Sequence, residues 1–420
     1  MNLNKTLSLG IQSHKAGDIQ TAEQIYTYAL EADPRCAQAL FLLGMIRFEQ
    51  QRTDESIDYF NQAVRFAPQY AEAHYNLGVA LKSIKRIPEA IEAFTRALEY
   101  QPDAHEALWN RALCRLISGD LANGLPELER ASEYRTTLGL RRKRTYAKPE
   151  WTGEPIEGKR LLVYAEQGLG DTIQYARFLP ILKERYRPEV IFECQSCLCE
   201  LFRDRGGYDR IIPHSDKTPV AEEKFDLHIS LVSLPAVFGT TRSTIPAKVP
   251  YISVAPGLID KWKTELPGNN TTKVGLVWSG NPWPITGRHR HCSLQDFAPL
   301  AQADGISFVG LQQARNADID LNPPDGLDFT NIDRDLWQTA AILMNLDLLI
   351  TIDTSIAHLA GALGRPVWAL LSFNNDWRWF LEGSDTPWYP NMRLFRQPRP
   401  GDWPNVMAQV ATSLLDLCSD

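Results

Sequence analysis

The sequence has no long uninterrupted apolar run and no excess of basic residues. Its most apolar stretch, residues 340–352, is interrupted by Asn345 and Asp347 and is too short to cross a bilayer as a helix. The 44 basic and 51 acidic residues give a net charge of -7, which argues against a general surface for nucleic acid or an anionic membrane. No signal-peptide core precedes the first amphipathic pattern. The sequence therefore predicts a cytoplasmic protein with no membrane span and no nucleic-acid partner.

Cysteine is also scarce. Seven cysteines, an odd number in 420 residues, fit a reducing compartment better than a disulfide framework. Cys194, Cys197 and Cys199 lie close enough together to raise the possibility of a metal site, but no second pair of ligands follows at zinc spacing. The sequence predicts no metal. At 420 residues with an average apolar and charged content, the chain is long enough for two to four folded domains.

The first third repeats with a period of 34 residues. Small residues and prolines recur at this spacing in four columns: Gly10, Gly44, Gly78 and Ala112; Pro34, Pro68 and Pro102; Ala22, Ser56, Ala90 and Gly124; and Ala29, Ala63, Ala97 and Ala131. Small residues let paired helices approach, and proline ends the second helix of a pair because it lacks the amide hydrogen. This period and pattern are typical of tetratricopeptide repeats.

About four repeats are predicted over residues 1–137. The fourth is degenerate, with Gly124 in the alanine column and Thr136 where proline is expected. Such a stack forms a concave groove, so a protein or peptide partner is predicted. Asn76 and Asn110 occupy one repeat position on the first helices, where a side-chain amide can bind an extended peptide backbone. Asparagine is also common at this position for structural reasons, and both interpretations stay open.

Residues 138–159 have the composition of a linker. They contain the basic run Arg141-Arg142-Lys143-Arg144 and then Pro149, Gly153, Pro155 and Gly158. From Arg160 onward, short apolar strands alternate with helical patterns, among them a helix from Asp171 and a helix through Phe297. This alternation predicts parallel sheets in two doubly wound domains, 160–268 and 269–420. Ligands of such sheets bind beyond the carboxyl ends of the strands, so the candidate site lies in those loops.

The first such loop is Gly168-Leu169-Gly170-Asp171-Thr172. It resembles the start of a dinucleotide fingerprint, with Glu193 as a candidate ribose ligand, but Ile173 stands where a third glycine is needed. A dehydrogenase is therefore a weak alternative. Asp171, with Gln174 three residues later, also fits a helix capping box. Asp171 is a helix cap, a general base, or both.

Two further loops point to an anion. In Ile352-Asp353-Thr354-Ser355-Ile356-Ala357-His358 a strand runs into a helix, whose free amides and two hydroxyls suit a diphosphate. The alternative is that Asp353 or Thr354 caps the helix and His358 packs on its first turn. The loop that contains Ser279 and Gly280 precedes Arg288, His289, Arg290 and His291. These cations either bind the outer phosphate or lie on a solvated loop.

The three loops resemble those of the heptosyltransferase-like glycosyltransferases of family nine. The same resemblance holds for the run that overlaps and follows the Asp353 loop, Ala357-His358-Leu359-Ala360-Gly361-Ala362-Leu363-Gly364-Arg365-Pro366. The resemblance covers about residues 160–415, and tetratricopeptide repeats precede such a domain in some bacterial proteins. It implies a GT-B fold, with the acceptor on the first Rossmann-like domain and the nucleotide sugar on the second. The predicted fold class is thus α + α/β: an all-α tetratricopeptide solenoid followed by two Rossmann-like α/β domains. The segment 373–379 departs from the heptosyltransferases, so the resemblance does not imply a heptose donor.

Residue by residue, the resemblance implies that Asp171 deprotonates the acceptor hydroxyl. It implies a nucleotide-sugar site formed by Ser279, Gly280, Arg290 or Arg288, Gln312, Asp353, Thr354, Ser355 and His358. The predicted activity is a metal-independent, inverting transfer of a sugar from a nucleotide-sugar donor to a protein, a protein-presented group or a glycan, with no cofactor. The alternative is a protein-binding scaffold whose glycosyltransferase-like half is inactive.

Overall fold

The computed structural model describes residues 3–131, 134, 137, 146–203, 206–214, 224–267, 271–280, 290–313 and 320–419. The chain divides into two compact units, Met1–Gly139 and Leu140–Asp420. Thr136, the basic run at 141–144 and residue 268 lie outside the described residues. The predicted boundaries at 137, 159 and 268 stay predictions.

The first unit contains successive helix pairs. Their bounds are α1 Leu3–Lys15, α2 Ile19–Ala32, α3 Ala37–Glu49, α4 Thr53–Phe66, α5 Ala71–Ser83, α6 Ile87–Tyr100, α7 His105–Ile117 and α8 Leu121–Arg130. A Cβ added at Gly44 would lie 2.6 Å from the Phe60 ring, and one at Gly78 would lie 2.7 Å from the Phe94 ring. The glycine column is therefore where the two helices of a pair come closest. The fourth pair is irregular, because α8 is short and contains Pro126.

The second unit contains two parallel sheets. The first sheet has the order β3-β2-β1-β4. Its strands and helices are β1 Arg160–Tyr164, α9 Leu169–Tyr175, α10 Leu179–Tyr186, β2 Glu189–Gln195, α11 Cys199–Phe202, β3 Arg210–His214, β4 Leu227–Ser230 and α12 Leu234–Val237. The strand order reverses between β1 and β4, so the loop after β1 lies at a topological switch point.

The second sheet has the order β10-β9-β8-β5-β6-β7. Its elements are α13 Pro256–Glu265, β5 Thr272–Val277, β6 Ile306–Gly310, β7 Phe329–Asn331, α14 Leu336–Met344, β8 Leu348–Ile352, α15 Ser355–Ala362, β9 Val367–Leu371, β10 Met392–Arg396 and α16 Trp403–Ser419. The helix predicted through Phe297 is a 3-10 segment, Leu294–Gln302, which contains Pro299. The order reverses between β8 and β5, and the predicted phosphate loops follow these two strands.

The predicted fold class is confirmed: helical repeats are followed by two parallel α/β sheets in a GT-B-like arrangement. The two sheets are joined because α9, which follows β1, packs against α15, which follows β8. Among the described residues, no helix is both long and apolar enough to span a membrane.

Candidate active site

The amino-terminal turns of α9 and α15 meet in close contact. A Cβ added at Gly170 would lie 2.9 Å from His358 Cδ2 and 3.5 Å from the Cα of Ser355. Glycine at this position therefore lets the loop after β1 approach the loop after β8. A Cβ at Gly280 would likewise lie 3.3 Å from Thr354 Cγ2, so the loops after β5 and β8 also touch. Three of the loops predicted from sequence converge on one place.

Asp171 has two partners. Its Oδ2 accepts a hydrogen bond of 3.1 Å from the amide of Gly168, and its Oδ1 accepts from Arg378 Nη2 in an ion pair. The sequence pattern predicted a helix that starts at Asp171, but α9 starts at Leu169 with Gly168 as its N-cap, and Asp171 occupies the third position. The hydrogen bond from the Gly168 amide is a capping interaction. The Asp171 side chain is 24% exposed. Its use as a base stays a prediction.

Arg378 was not predicted as a site residue. Its Nη1 donates to Asp376 Oδ1 at 2.9 Å, and its Nε donates to Gln174 Oε1 at 2.8 Å. The guanidinium lies over the ring of Trp377, 4.9 Å from its centroid. The sequence did contain a signal that could have identified Arg378. The segment 373–379 follows the carboxyl end of β9, and the three predicted loops likewise follow the carboxyl ends of strands. What the sequence does not show is that Arg378 crosses to the first sheet.

Arg290 continues this network. Its Nη1 lies 3.4 Å from Asp353 Oδ2, and its Nη2 lies 3.8 Å from Asp376 Oδ2. Charges thus alternate along a chain of five side chains: Asp171, Arg378, Asp376, Arg290 and Asp353. Burial raises the pKa of Asp353, although Arg290 opposes this shift. Arg288, the alternative phosphate ligand, lies outside the described residues.

The loop after β5 is held by two side chains. Gln312 Oε1 accepts from the amide of Ser279 at 2.9 Å, and the Gln312 side chain is buried. Ser279 Oγ lies 2.9 Å from His291 Nδ1, which also accepts from the amide of Gly280 at 3.3 Å. Burial, aided by Arg290, lowers the pKa of His291. Gln312 therefore supports the loop; its predicted contact with a nucleotide base stays a prediction.

The loop after β8 presents the start of α15. Thr354 is the N-cap, and in the described part of the chain no side chain caps this helix. The first-turn amides of α15 therefore have the arrangement that binds anions. His358 is packed inside: its Nδ1 lies 2.9 Å from the Tyr389 hydroxyl, and its ring stacks on Trp379 at 5.3 Å. Burial lowers the pKa of His358 to about 3, so its ring is neutral near pH 7.

A buried arginine lies beside this site and joins the two sheets. Arg177 Nη1 donates to the carbonyls of Trp388 and Pro246, and its Nη2 donates to the Tyr251 hydroxyl at 2.9 Å. Its guanidinium lies 4.6 Å from the centroid of the Tyr389 ring. Arg177 therefore holds the elements around His358 together without contributing to an open surface.

The two asparagines predicted to bind peptide lie in the repeat unit. Asn76 Nδ2 donates to the carbonyl of Glu72 in its own helix at 2.9 Å. Asn110 Nδ2 donates to the carbonyl of Glu106 at 2.9 Å, and its Oδ1 accepts from Lys82 Nζ at 2.8 Å. Both side chains therefore have partners within the repeat unit. Peptide binding by these amides stays a prediction.

Two other sequence alternatives can be located. Glu193, the candidate ribose ligand of a dehydrogenase, is buried, and its Oε1 lies 2.7 Å from His214 Nδ1. Glu193 thus has an internal partner. Over the described ranges, no group of three or more His, Cys, Asp or Glu side chains is arranged to hold a metal ion.

Family models match the repeat unit. Residues 15–71 and 71–104 each match a model described as a tetratricopeptide repeat. The predicted repeats are confirmed, and the chain combines them with a GT-B-like α/β unit. The models cover the first part of the chain only.

Known proteins resemble different parts of the chain. Protein FlbA from Caulobacter vibrioides is 26% identical over 297 residues, which is 64% of this chain and 48% of that protein. The chain thus spans about half the length of this curated relative. The crystal structure of a glycosyl transferase family 9 protein from Veillonella parvula is 14% identical and has a TM-score of 0.48; the match covers 64% of this chain and 100% of that one. The crystal structure of MamA is 23% identical and has a TM-score of 0.30; the match covers 33% of this chain and 81% of the MamA chain.

Proposed function

We propose that the unit Leu140–Asp420 is a glycosyltransferase that moves a sugar from a nucleotide-sugar donor to an acceptor hydroxyl. The reaction proceeds with inversion and without a metal ion, and Asp171 is the general base. The acceptor is a protein, a group presented by a protein, or a glycan. The nucleotide and the sugar stay open.

The observation that carries this proposal is the contact between α9 and α15. The candidate base Asp171 follows Gly170, where an added Cβ would lie 2.9 Å from His358 Cδ2 and 3.5 Å from the Cα of Ser355 at the start of α15. A diphosphate on the first-turn amides of α15 would therefore lie close to the carboxylate. Transfer to a hydroxyl needs these two groups on opposite sides of one sugar carbon.

The chemistry follows from these positions. Asp171 accepts the proton of the acceptor hydroxyl while its oxygen attacks the anomeric carbon of the donor sugar. The bond between that carbon and the phosphate oxygen breaks, and the electron pair leaves with the nucleoside diphosphate. The amides of α15 and the guanidinium of Arg290 stabilise the negative charge that develops on this leaving group.

The charge network prepares the site for a diphosphate. Arg290 is 37% exposed, and its ion pairs with Asp353 and Asp376 are long, at 3.4 and 3.8 Å. A phosphate that accepts charge-assisted hydrogen bonds from Arg290 competes well with such contacts. Arg378 remains anchored to Asp376 at 2.9 Å, so it continues to orient the Asp171 carboxylate.

The repeats supply the acceptor in this proposal. A stack of tetratricopeptide repeats binds extended segments of other proteins, which would raise the local concentration of an acceptor near the transferase unit. Because the chain covers about half of FlbA, the partner is proposed from the repeats alone.

A second candidate is a binding scaffold whose transferase-like half is inactive. One observation favours it: in the described part of the site, the five charged side chains from Asp171 to Asp353 already pair with one another. A scaffold needs no free base and no free cation, whereas an enzyme must exchange these partners for substrate.

Titration calorimetry of the purified chain with UDP, GDP, ADP, CDP and dTDP separates the two candidates. A transferase binds at least one of them, and a scaffold gives no heat with any. Mass-tagged sugars of the matching nucleotide then test transfer to proteins and glycans. Asp171→Asn should keep nucleotide binding and lose transfer. Asp304→Asn, an exposed residue in the turn just before β6 and therefore at the amino end of that strand, should keep both. Full turnover by Asp171→Asn would refute the base assignment.

A further inference from the structure

Three cysteines lie within six residues at the carboxyl end of β2, and two of them touch. The Sγ atoms of Cys194 and Cys199 are 3.7 Å apart. Cys194 is buried, Cys199 is partly exposed, and Cys197 between them is exposed. The spacing of these cysteines raises the possibility of a metal site, but the sequence predicts no metal. A contact between two thiols has another use.

The two thiols differ chemically. The hydrogen bond from Cys194 lowers the pKa of Cys199, and the same hydrogen bond, together with burial, raises the pKa of Cys194. Cys199 is thus the better nucleophile and also the more accessible of the two. Cys194 lies behind it, in the position of a resolving thiol.

We infer that Cys194 and Cys199 are a modification site that forms a reversible intramolecular disulfide with small-molecule disulfides such as oxidised glutathione. The Cys199 thiolate attacks one glutathione sulfur and releases a glutathione thiolate, which takes up a proton. Cys194 then loses its proton and attacks Cys199 Sγ, and the second glutathione leaves. One glutathione disulfide is reduced to two thiols while two protein thiols are oxidised. The sulfurs must close from 3.7 Å to about 2.05 Å, within the range of side-chain rotation.

The position connects this pair to the loop that carries Asp171. Gln195 follows Cys194, and the carbonyl of Gln195 accepts from Cys199 Sγ at 3.8 Å. The Gln195 side chain donates to the carbonyl of Gln167 at 2.8 Å and accepts from Thr172 Oγ1 at 2.9 Å. Oxidation removes the thiol donor from the Gln195 carbonyl, so amide hydrogen exchange over residues 168–172 should change. This inference concerns the thiols and stands whether or not the transferase proposal is correct.

Peptide mass mapping tests the site on the full-length chain. All three cysteines fall in one tryptic peptide, 186–203. After treatment with oxidised glutathione and alkylation, this peptide should lack two hydrogen atoms and carry one alkyl group. If the oxidised chain is reduced with dithiothreitol before alkylation, the peptide should carry three alkyl groups. Cys197→Ser is the matched control and should still form the bond with no free thiol left. Cys199→Ser should not form it and should keep Cys194 reduced.

The opposite results would refute the inference. Three alkyl groups on the wild-type peptide after oxidation would show that the pair does not close. Loss of the bond in Cys197→Ser, or its persistence in Cys199→Ser, would assign the disulfide to a different pair. Unchanged exchange at 168–172 in a chain that does form the bond would refute the connection to the Asp171 loop.

Discussion

Arg378 Nη2 donates to Asp171 Oδ1 across 207 residues of sequence and joins the second parallel sheet to the first. The same guanidinium holds Asp376 and Gln174. Asp171 therefore has a fixed orientation set by a residue of the other domain. Because the Arg378–Asp171 ion pair involves the candidate base, we expect a change in this contact to affect both stability and activity.

Replacement of Arg378 tests this contact. Arg378→Gln leaves Asp171 and Asp376, which are 24% and 20% exposed, without their main cation, and should lower the free energy of unfolding by about 3 kcal/mol. Arg378→Lys keeps the charge but not the planar fork, so it should recover only part of the loss. Urea denaturation measures both. As a control, Arg399→Gln removes an ion pair of a 79% exposed arginine and should cost about 0–1 kcal/mol. Equal stability of Arg378→Gln and Arg399→Gln would contradict the prediction.

Gly170 should not accept a methyl group. Alanine there brings a Cβ within 2.9 Å of His358 Cδ2, and the stack on Trp379 prevents the ring from moving away. Gly170→Ala should therefore destabilise the chain by about 1–3 kcal/mol. The matched control is Gly257→Ala in α13, where nothing in the described structure lies within 4 Å of the added Cβ. This control should leave stability unchanged or raise it by up to about 1 kcal/mol. If thermal unfolding shows the same shift for both variants, α9 and α15 do not pack as described.

Arg290 should decide diphosphate affinity. If it exchanges Asp353 and Asp376 for phosphate, Arg290→Gln loses a charge-assisted hydrogen bond worth about 1.5–3 kcal/mol, equal to roughly a tenfold to hundredfold weaker binding of the nucleoside diphosphate. Calorimetry with the diphosphate that binds the wild type measures this change. The corresponding nucleoside, which has no phosphate, should bind both forms equally. A similar weakening for the nucleoside would mean that Arg290 acts on the fold of the loop.

His358 should make the folded state sensitive to acid. Burial lowers its pKa from 6.5 to about 3, so between these values the unfolded chain binds a proton that the folded chain does not. Stability therefore falls as pH decreases through this window, by about 1.4 kcal/mol per pH unit. His358→Phe keeps a ring against Trp379 and removes the titration. Urea unfolding at pH 4, 5, 6 and 7 should give a shallower dependence for the variant. Parallel curves for the two proteins would disprove the assignment.

Much of the fold could be predicted from the sequence because steric rules act locally. A glycine every 34 residues marks the closest contact between paired helices. A Cβ added at Gly44 or Gly78 would lie 2.6 or 2.7 Å from an aromatic ring of the partner helix. Alternating strand and helix patterns predicted the parallel sheets. The structure differs from the predicted helices at Leu294–Gln302, which is a 3-10 segment, and at the start of α9, where Gly168 is the N-cap and Asp171 occupies the third position.

The candidate site was predicted in part. The loops with Asp171, Ser279 and Thr354 lie at strand ends, and their place in a parallel fold follows from topology. The predicted contact of Gln312 with a nucleotide base stays a prediction, and in the structure its side chain accepts from the amides of Trp278 and Ser279. Arg378 and Asp376 were not assigned to the site. Their partners depend on which segments of the second sheet pack against α9, and no local pattern encodes that.

The sequence by itself determined the order of parts, the repeat period, the two sheets and the loops that carry candidate chemistry, because each depends on residue size, chain periodicity and strand ends. Only the tertiary structure decided the partners: Arg378 with Asp171, Arg290 with Asp353, and Cys194 with Cys199. The first two pairs cross large sequence separations, and the third depends on two rotamers at a strand end. Such contacts depend on how the whole unit packs, because packing fixes side-chain orientations that the residue pattern of the sequence does not determine.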